Sequence, residues 1–142
     1  MKNLIAALVV FLTITNAYAT NLKLLSSSKE PRLKGAYDYY LDSDSIKQIS
    51  PGVIDVETLM NLPPLIEQEG SIIKNTSLSE KTYVTINCKT NKAKRKLIES
   101  YSEINAKGSI VFKSDLTKIK NDGFVMNSKT SEYLVAKIIC QK

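Results

Sequence analysis

Two cysteines, Cys88 and Cys140, stand in a chain of 142 residues that has no histidine. Without histidine there is no common general base, no Ser–His or Cys–His nucleophile pair, and little scope for zinc or copper. Asp38, Asp42 and Asp44 form a carboxylate group in sequence that calcium could use. They lack the loop glycine and downstream glutamate of an EF-hand, and they read as turn and capping residues. Ser43 and Ser45 lie near Lys47, the makings of a Ser/Lys dyad, but nothing marks an oxyanion hole. No catalytic residue, metal site or cofactor is expected, and the chain reads as non-enzymatic.

The most suggestive surface feature is basic. Lys89, Lys92, Lys94, Arg95 and Lys96 fall within eight residues. On a strand, Lys92, Lys94 and Lys96 would project to one face and meet polyanions, acidic protein segments or anionic lipid. The alternative is a solvated edge strand whose lysines prevent edge-to-edge pairing. Nucleic acid is not expected, since the run holds no stacking aromatic and the chain reads as exported.

Export follows from residues 1–19. Lys2 precedes an apolar run from Leu4 to Ile14, and Ala17-Tyr18-Ala19 is a small-x-small cleavage site. The run is too short for a membrane span. Removing 19 of the 142 residues leaves 123, one lysine fewer, and a formal charge of +5 in place of +6. That is one domain with one core. A periplasmic, secreted or cell-surface location is expected. In such compartments two cysteines suggest one disulfide, with two unpaired buried thiols as the alternative.

Several elements must position these residues. Thr20 to Lys34 is polar and reads as an extended lead-in. Tyr37, Tyr39 and Leu41 alternate as a strand; Asp42 is placed to cap a short helical turn, with Ile46 and Ile49 facing inward. Pro51-Gly52 reverses the chain into a strand over residues 53–62, carrying Ile54, Val56, Thr58, Met60 and Leu62 on one face. Residues 63–79 read as a long connection with a short strand possible at Ile72-Ile73. Thr82, Val84, Ile86 and Cys88 alternate inward along the central strand. Residues 92–103 fit a strand weakly, and a helix stays open. Ser128 to Cys140 is the clearest helix, with Leu134/Ile138 and Val135/Ile139 as its apolar stripe and Ser128 or Thr130 as cap. Together these elements predict an α+β fold: a small antiparallel sheet covered by a C-terminal helix.

Tyr39-Tyr40-Leu41-Asp42-Ser43-Asp44-Ser45-Ile46 resembles the opening motif of the bacterial surface-adhesin protein E family. Residues 53–62 and 77–88 resemble the strands that follow in that family, and Tyr133 to Cys140 resembles its closing helix. The similarity spans about residues 36–140, so a protein E-like domain is expected over 35–142, after signal peptide 1–19 and lead-in 20–34. The resemblance implies a module that binds host matrix or serum proteins such as vitronectin and laminin, and that can form a homodimer. The lipid-bearing cysteine and the tryptophan found in the family are absent here. An alternative is a periplasmic accessory or structural protein of the cell envelope without a host ligand.

Overall fold

The computed structural model describes residues 21–28, 33–34 and 37–141. The expected signal peptide, and residues 20 and 29–32 of the lead-in, lie outside them. The order along the chain is β1 (Leu22–Ser28), β2 (Leu33–Lys34), β3 (Tyr37–Asp42), β4 (Lys47–Ser50), β5 (Val53–Asn61), β6 (Leu65–Gln68) and β7 (Ser71–Lys74). Then come β8 (Ser79–Asn87), β9 (Lys92–Tyr101), β10 (Ile110–Asp115), β11 (Phe124–Val125) and α1 (Ser131–Ile139). The main sheet runs β1-β3-β5-β8-β9-β10, with β4 beside β5 and β11 beside β9. Every paired strand is antiparallel. An antiparallel sheet with a single C-terminal helix and a Cys88–Cys140 bridge is the architecture expected from the sequence.

One face of the sheet makes the core. Tyr39 and Leu41 of β3, Val56 of β5, Val84 and Ile86 of β8 and Ala93 of β9 pack with Met126 and with Val135 and Ala136 of α1. This is the period-two alternation realised: β8 buries Thr82, Val84 and Ile86, and β5 buries Val56 and Thr58 in the same way, with Leu59 buried outside that cluster. At only nine residues α1 is too short to hold its shape alone in water, so tertiary contacts must hold it. Its buried residues are Glu132, Val135 and Ala136, whereas Ile138 is 37% exposed. Of the expected stripe, Val135 is buried and Leu134 and Ile139 pack against the core, with Ala136 and Cys140 at its edge; only Ile138 turns out, and Glu132, a charged residue that hydrophobicity alone does not place inside, is buried as well.

The helix also starts later than expected, at Ser131. Thr130 holds the N-cap position, but its hydroxyl turns back, donating to the Asn127 carbonyl (2.9 Å) and accepting from the Asn127 N–H (3.1 Å). Ser128 to Thr130 thus close a turn before the first helical residue. Of the lead-in, Leu22–Ser28 pairs with β3 as an edge strand of the main sheet. The short strand expected at Ile72-Ile73 is β7, and residues 63–79 hold more than that: β6 and β7 form a hairpin joined to β2 in a three-stranded sheet. Glu69 and Gly70 both take positive φ (51° and 78°) at its tip, the two-residue turn that matches strand twist.

Asp42-Ser43-Asp44-Ser45 is an architectural stitch. β3 and β4 occupy one lane beside β5, interrupted by a 3-10 turn at Ser43–Ser45. As expected, the Asp42 carboxylate caps that turn, accepting the Asp44 N–H at 3.1 Å. Ser45 Oγ donates to the Asp42 carbonyl and accepts the Glu57 N–H, both at 2.7 Å, and so bridges the gap to β5. Ser45→Ala strands that N–H and should cost about 1–3 kcal/mol, read as a lower urea midpoint. A midpoint unchanged within error would mean water replaces the hydroxyl. Ile46 and Ile49 do not face inward; they are 42% and 52% exposed. β4 reaches only the Val53–Asp55 end of β5, at the sheet margin, and all four of its residues are exposed.

Candidate functional site

Residues 92–101 form a strand, which settles the choice left open between strand and helix. The register sets Lys92 opposite Asn87 and Lys94 opposite Thr85, on the face away from α1. Ala93 and Arg95 pair with Ile86 and Val84 on the core face. A bulge follows: Leu97 stands opposite Tyr83 and Arg95 opposite Val84, so Lys96 is the extra residue. The bulge switches the parity of the strand, and Leu97, Glu99 and Tyr101 fall on the outer face.

The five basic residues divide by what they touch. Arg95 Nε lies 2.6 Å from Glu132 Oε1 of α1, and its guanidinium sits 5.3 Å from the Phe124 ring centroid. The hydrogen bond that Arg95 donates to the Glu132 carboxylate raises the Arg95 pKa further. Lys96 Nζ contacts both Asp55 oxygens, at 2.8 and 2.7 Å. Among the described residues, Lys89, Lys92 and Lys94 form no ion pair. The aliphatic stem of Lys89 lies along Gly52, where a Cβ would meet Lys89 Cγ at 3.0 Å.

Lys92 and Lys94 line an open cleft of about 340 Å³ with Thr85, Asn87 and Thr90 on one side and Asn121 and Asp122 on the other. The second wall is pinned by Gly123. At φ 82° its backbone approaches β9 so closely that a Cβ would run into the Ala93 carbonyl oxygen. Asn121-Asp122-Gly123 reads as a turn in the sequence. That the turn folds against the lysine strand is a tertiary fact with no local signal.

The rest of the outer face is laced by ion pairs. Lys81 lies 3.3 Å from Glu57 and 5.1 Å from the Tyr83 ring centroid. Burial works to lower the Lys81 pKa, but Tyr83 and Glu57 outweigh it and raise it. Lys113 reaches Glu99 at 2.7 Å, and the Tyr101 hydroxyl donates to the other Glu99 oxygen at 2.9 Å. Burial and that Glu99 bond push the Tyr101 pKa up to about 12. On the core face, a polar cavity of about 140 Å³ lies between Tyr39, Thr58, Thr82, Arg95, Ser131 and Glu132. Burial raises the Tyr39 pKa there. Among the described residues no cluster of three or more His, Cys, Asp or Glu side chains is arranged to hold a metal ion. No helix among them is long and apolar enough to cross a membrane.

These couplings predict the pH profile of stability. Partial burial pushes the Asp55 carboxyl upward, but Lys96 and Thr85 outweigh it; for Glu99, Lys113 and Tyr101 do the same. Both carboxyls end below their usual range. A depressed folded pKa contributes stability that is complete above the unfolded value of about 4 and is lost as pH falls through the folded value. With no histidine to titrate, the unfolding free energy should be flat from about pH 5 to 8 and drop below about pH 4. Urea midpoints across pH 2–8 would check this, and a step near pH 6.5 would contradict it.

A family model described as surface-adhesin protein E matches residues 28–141. No curated protein sequence matches the chain. The fold is similar to that of Haemophilus influenzae protein E, with a TM-score of 0.52 and 24% identity over 72% of this chain and 76% of that one. A second structure, of protein E from non-typeable Haemophilus influenzae, gives 0.52 and 23% over 84% of each chain. The match covers β3 and its Asp42–Ser45 stitch, the central strands and the disulfide-linked helix, which together define the fold. This chain belongs to the surface-adhesin protein E family.

Proposed function

We propose that this protein is an exported, non-catalytic binding module of the adhesin type, which engages host matrix or serum proteins or polyanions through the outer face of its sheet. The observation that carries the reading is the division of the basic residues. Among the described residues, Arg95, Lys96, Lys81 and Lys113 pair with carboxylates of the fold, while Lys89, Lys92 and Lys94 form no ion pair and cluster at one end of the face. Uncompensated cations on a rigid strand attract an acidic partner over about a Debye length. Family membership supports a binding role, and the ion pair with Asp55 argues against Lys96 as a contact residue.

Lys92→Gln/Lys94→Gln should weaken binding to a polyanion roughly tenfold and flatten its salt dependence, each surface ion pair being worth up to about 1 kcal/mol. Lys96→Gln is the control: it should lower stability through Asp55 and change affinity little. Titration of each variant at several salt concentrations reads both effects. Equal affinity for the double variant and the parent would leave the lysines as solvation alone.

Self-association is carried by a separate surface. β10 is the last strand of the sheet, and its Ile110, Val111 and Phe112 are about half exposed. An apolar edge of this kind suits pairing with a second copy. Sedimentation of the parent against Val111→Lys tests it: a dimer that persists in the variant places the contact elsewhere.

A further inference from the structure

Resting on that reading of the outer face, we propose that the cleft between the Lys92–Lys94 strand and the Asn121–Asp122 turn takes an anionic sugar residue of a glycan chain rather than an acidic peptide. The polar groups along the cleft are mainly hydrogen-bond donors. Asn87 Oδ1 accepts the N–H groups of Lys89 and Thr90, at 3.0 and 3.1 Å. Asn121 Oδ1 accepts the Gly123 N–H at 3.0 Å. Each amide is thereby oriented by its own turn and keeps its NH₂ uncommitted. Lys92 and Lys94 add two ammonium groups with no ion-pair partner among the described residues. This is a donor-rich wall, suited to a sulfate or carboxylate.

Asp122 breaks the pattern, and it discriminates. Acidic side chains of a peptide are acceptors only, so they would meet the Asp122 carboxylate as a like charge. A sugar brings hydroxyl donors beside its anionic group, and Asp122 accepts them. β8 is paired along both sides, and β9 is paired with β8 and, at its two ends, with β11 (Lys92–Ala93) and β10 (Leu97–Tyr101), which leaves little backbone edge for a peptide to add as a strand. The cleft has no aromatic lining to stack a neutral sugar, so the anionic group must supply much of the affinity.

The test uses the signal-free chain, a heparin tetrasaccharide, a hyaluronan oligosaccharide and polyglutamate, with the fold of each variant checked by thermal unfolding. Asp122→Ala makes the cleft more positive. If charge alone matters, affinity for every anion rises. An anionic sugar that hydrogen-bonds Asp122 loses affinity instead, by roughly three- to tenfold, while polyglutamate gains. Tighter binding of heparin than hyaluronan makes sulfate the recognised group; the reverse makes it the carboxylate, and either supports the site. A rise for all anions in Asp122→Ala, with a fall for all in Lys92→Gln/Lys94→Gln, overturns the sugar site and leaves the lysine face standing. No binding of any anion by the parent overturns both.

Discussion

Opening the Cys88–Cys140 bridge is expected to lower the unfolding free energy by about 4 kcal/mol. The bonded residues are 52 apart in sequence, and the loop they close holds β9, β10, β11 and α1. In the unfolded chain the bridge removes the freedom of that whole segment. In the folded chain it fastens the end of β8 to the C-terminal end of α1, where Cys140 is the C-cap residue and its N–H donates to the Ala136 carbonyl at 2.9 Å. Reduction, or Cys88→Ser/Cys140→Ser, should lower the melting temperature by about 10–20 °C for a domain of this size. A loss below about 1 kcal/mol in urea unfolding would mean that packing alone confines the helix.

Glu132→Ala is expected to cost about 3 kcal/mol. Its carboxylate is 3% exposed and meets the Arg95 guanidinium at 2.6 Å. Removing one member of a buried pair leaves the other charge uncompensated, which generally costs 3–5 kcal/mol. The lower end applies because Arg95 is 43% exposed and water can take over part of its hydration. Arg95→Met/Glu132→Leu should recover most of the loss, because neither charge is then stranded. If the double variant is as unstable as Glu132→Ala, the pair acts through shape and not charge. The bridge and the ion pair hold opposite ends of the same nine-residue helix, so the two losses should not add. With either fastening gone, much of what the other holds is already released.

Both fastenings bear on how far the sequence could be read. The disulfide follows from the cysteine count and the expectation of export, and β5 and β8 follow from their alternation, because their pairing keeps one register along its length. β9 was ambiguous for a physical reason. The bulge at Lys96 shifts the period by one residue, so Ala93 and Arg95 share the inner face with Ile98 and Ser100, which no single alternation reproduces. The β6–β7 hairpin was obscured because its residues are largely exposed and show no one-sided pattern. The helix stripe was legible except at its edges: Ile138 turns out, and the buried Glu132 carries no hydrophobic signal, although an Arg95 facing the core would have required a partner for it.

The candidate surface divides in the same way. From composition and order alone came a histidine-free chain, an antiparallel sheet under a C-terminal helix, and a basic strand with alternate lysines on one face. These are local properties: side-chain direction alternates with the pleat, and burial follows hydrophobicity. Which of the basic residues are held in ion pairs was decided only by the tertiary structure. Asp55 lies 41 residues from Lys96 and Glu132 lies 37 from Arg95. Charge neutralisation depends on distance in space, and that distance is set by strand pairing and helix packing, not by position along the chain.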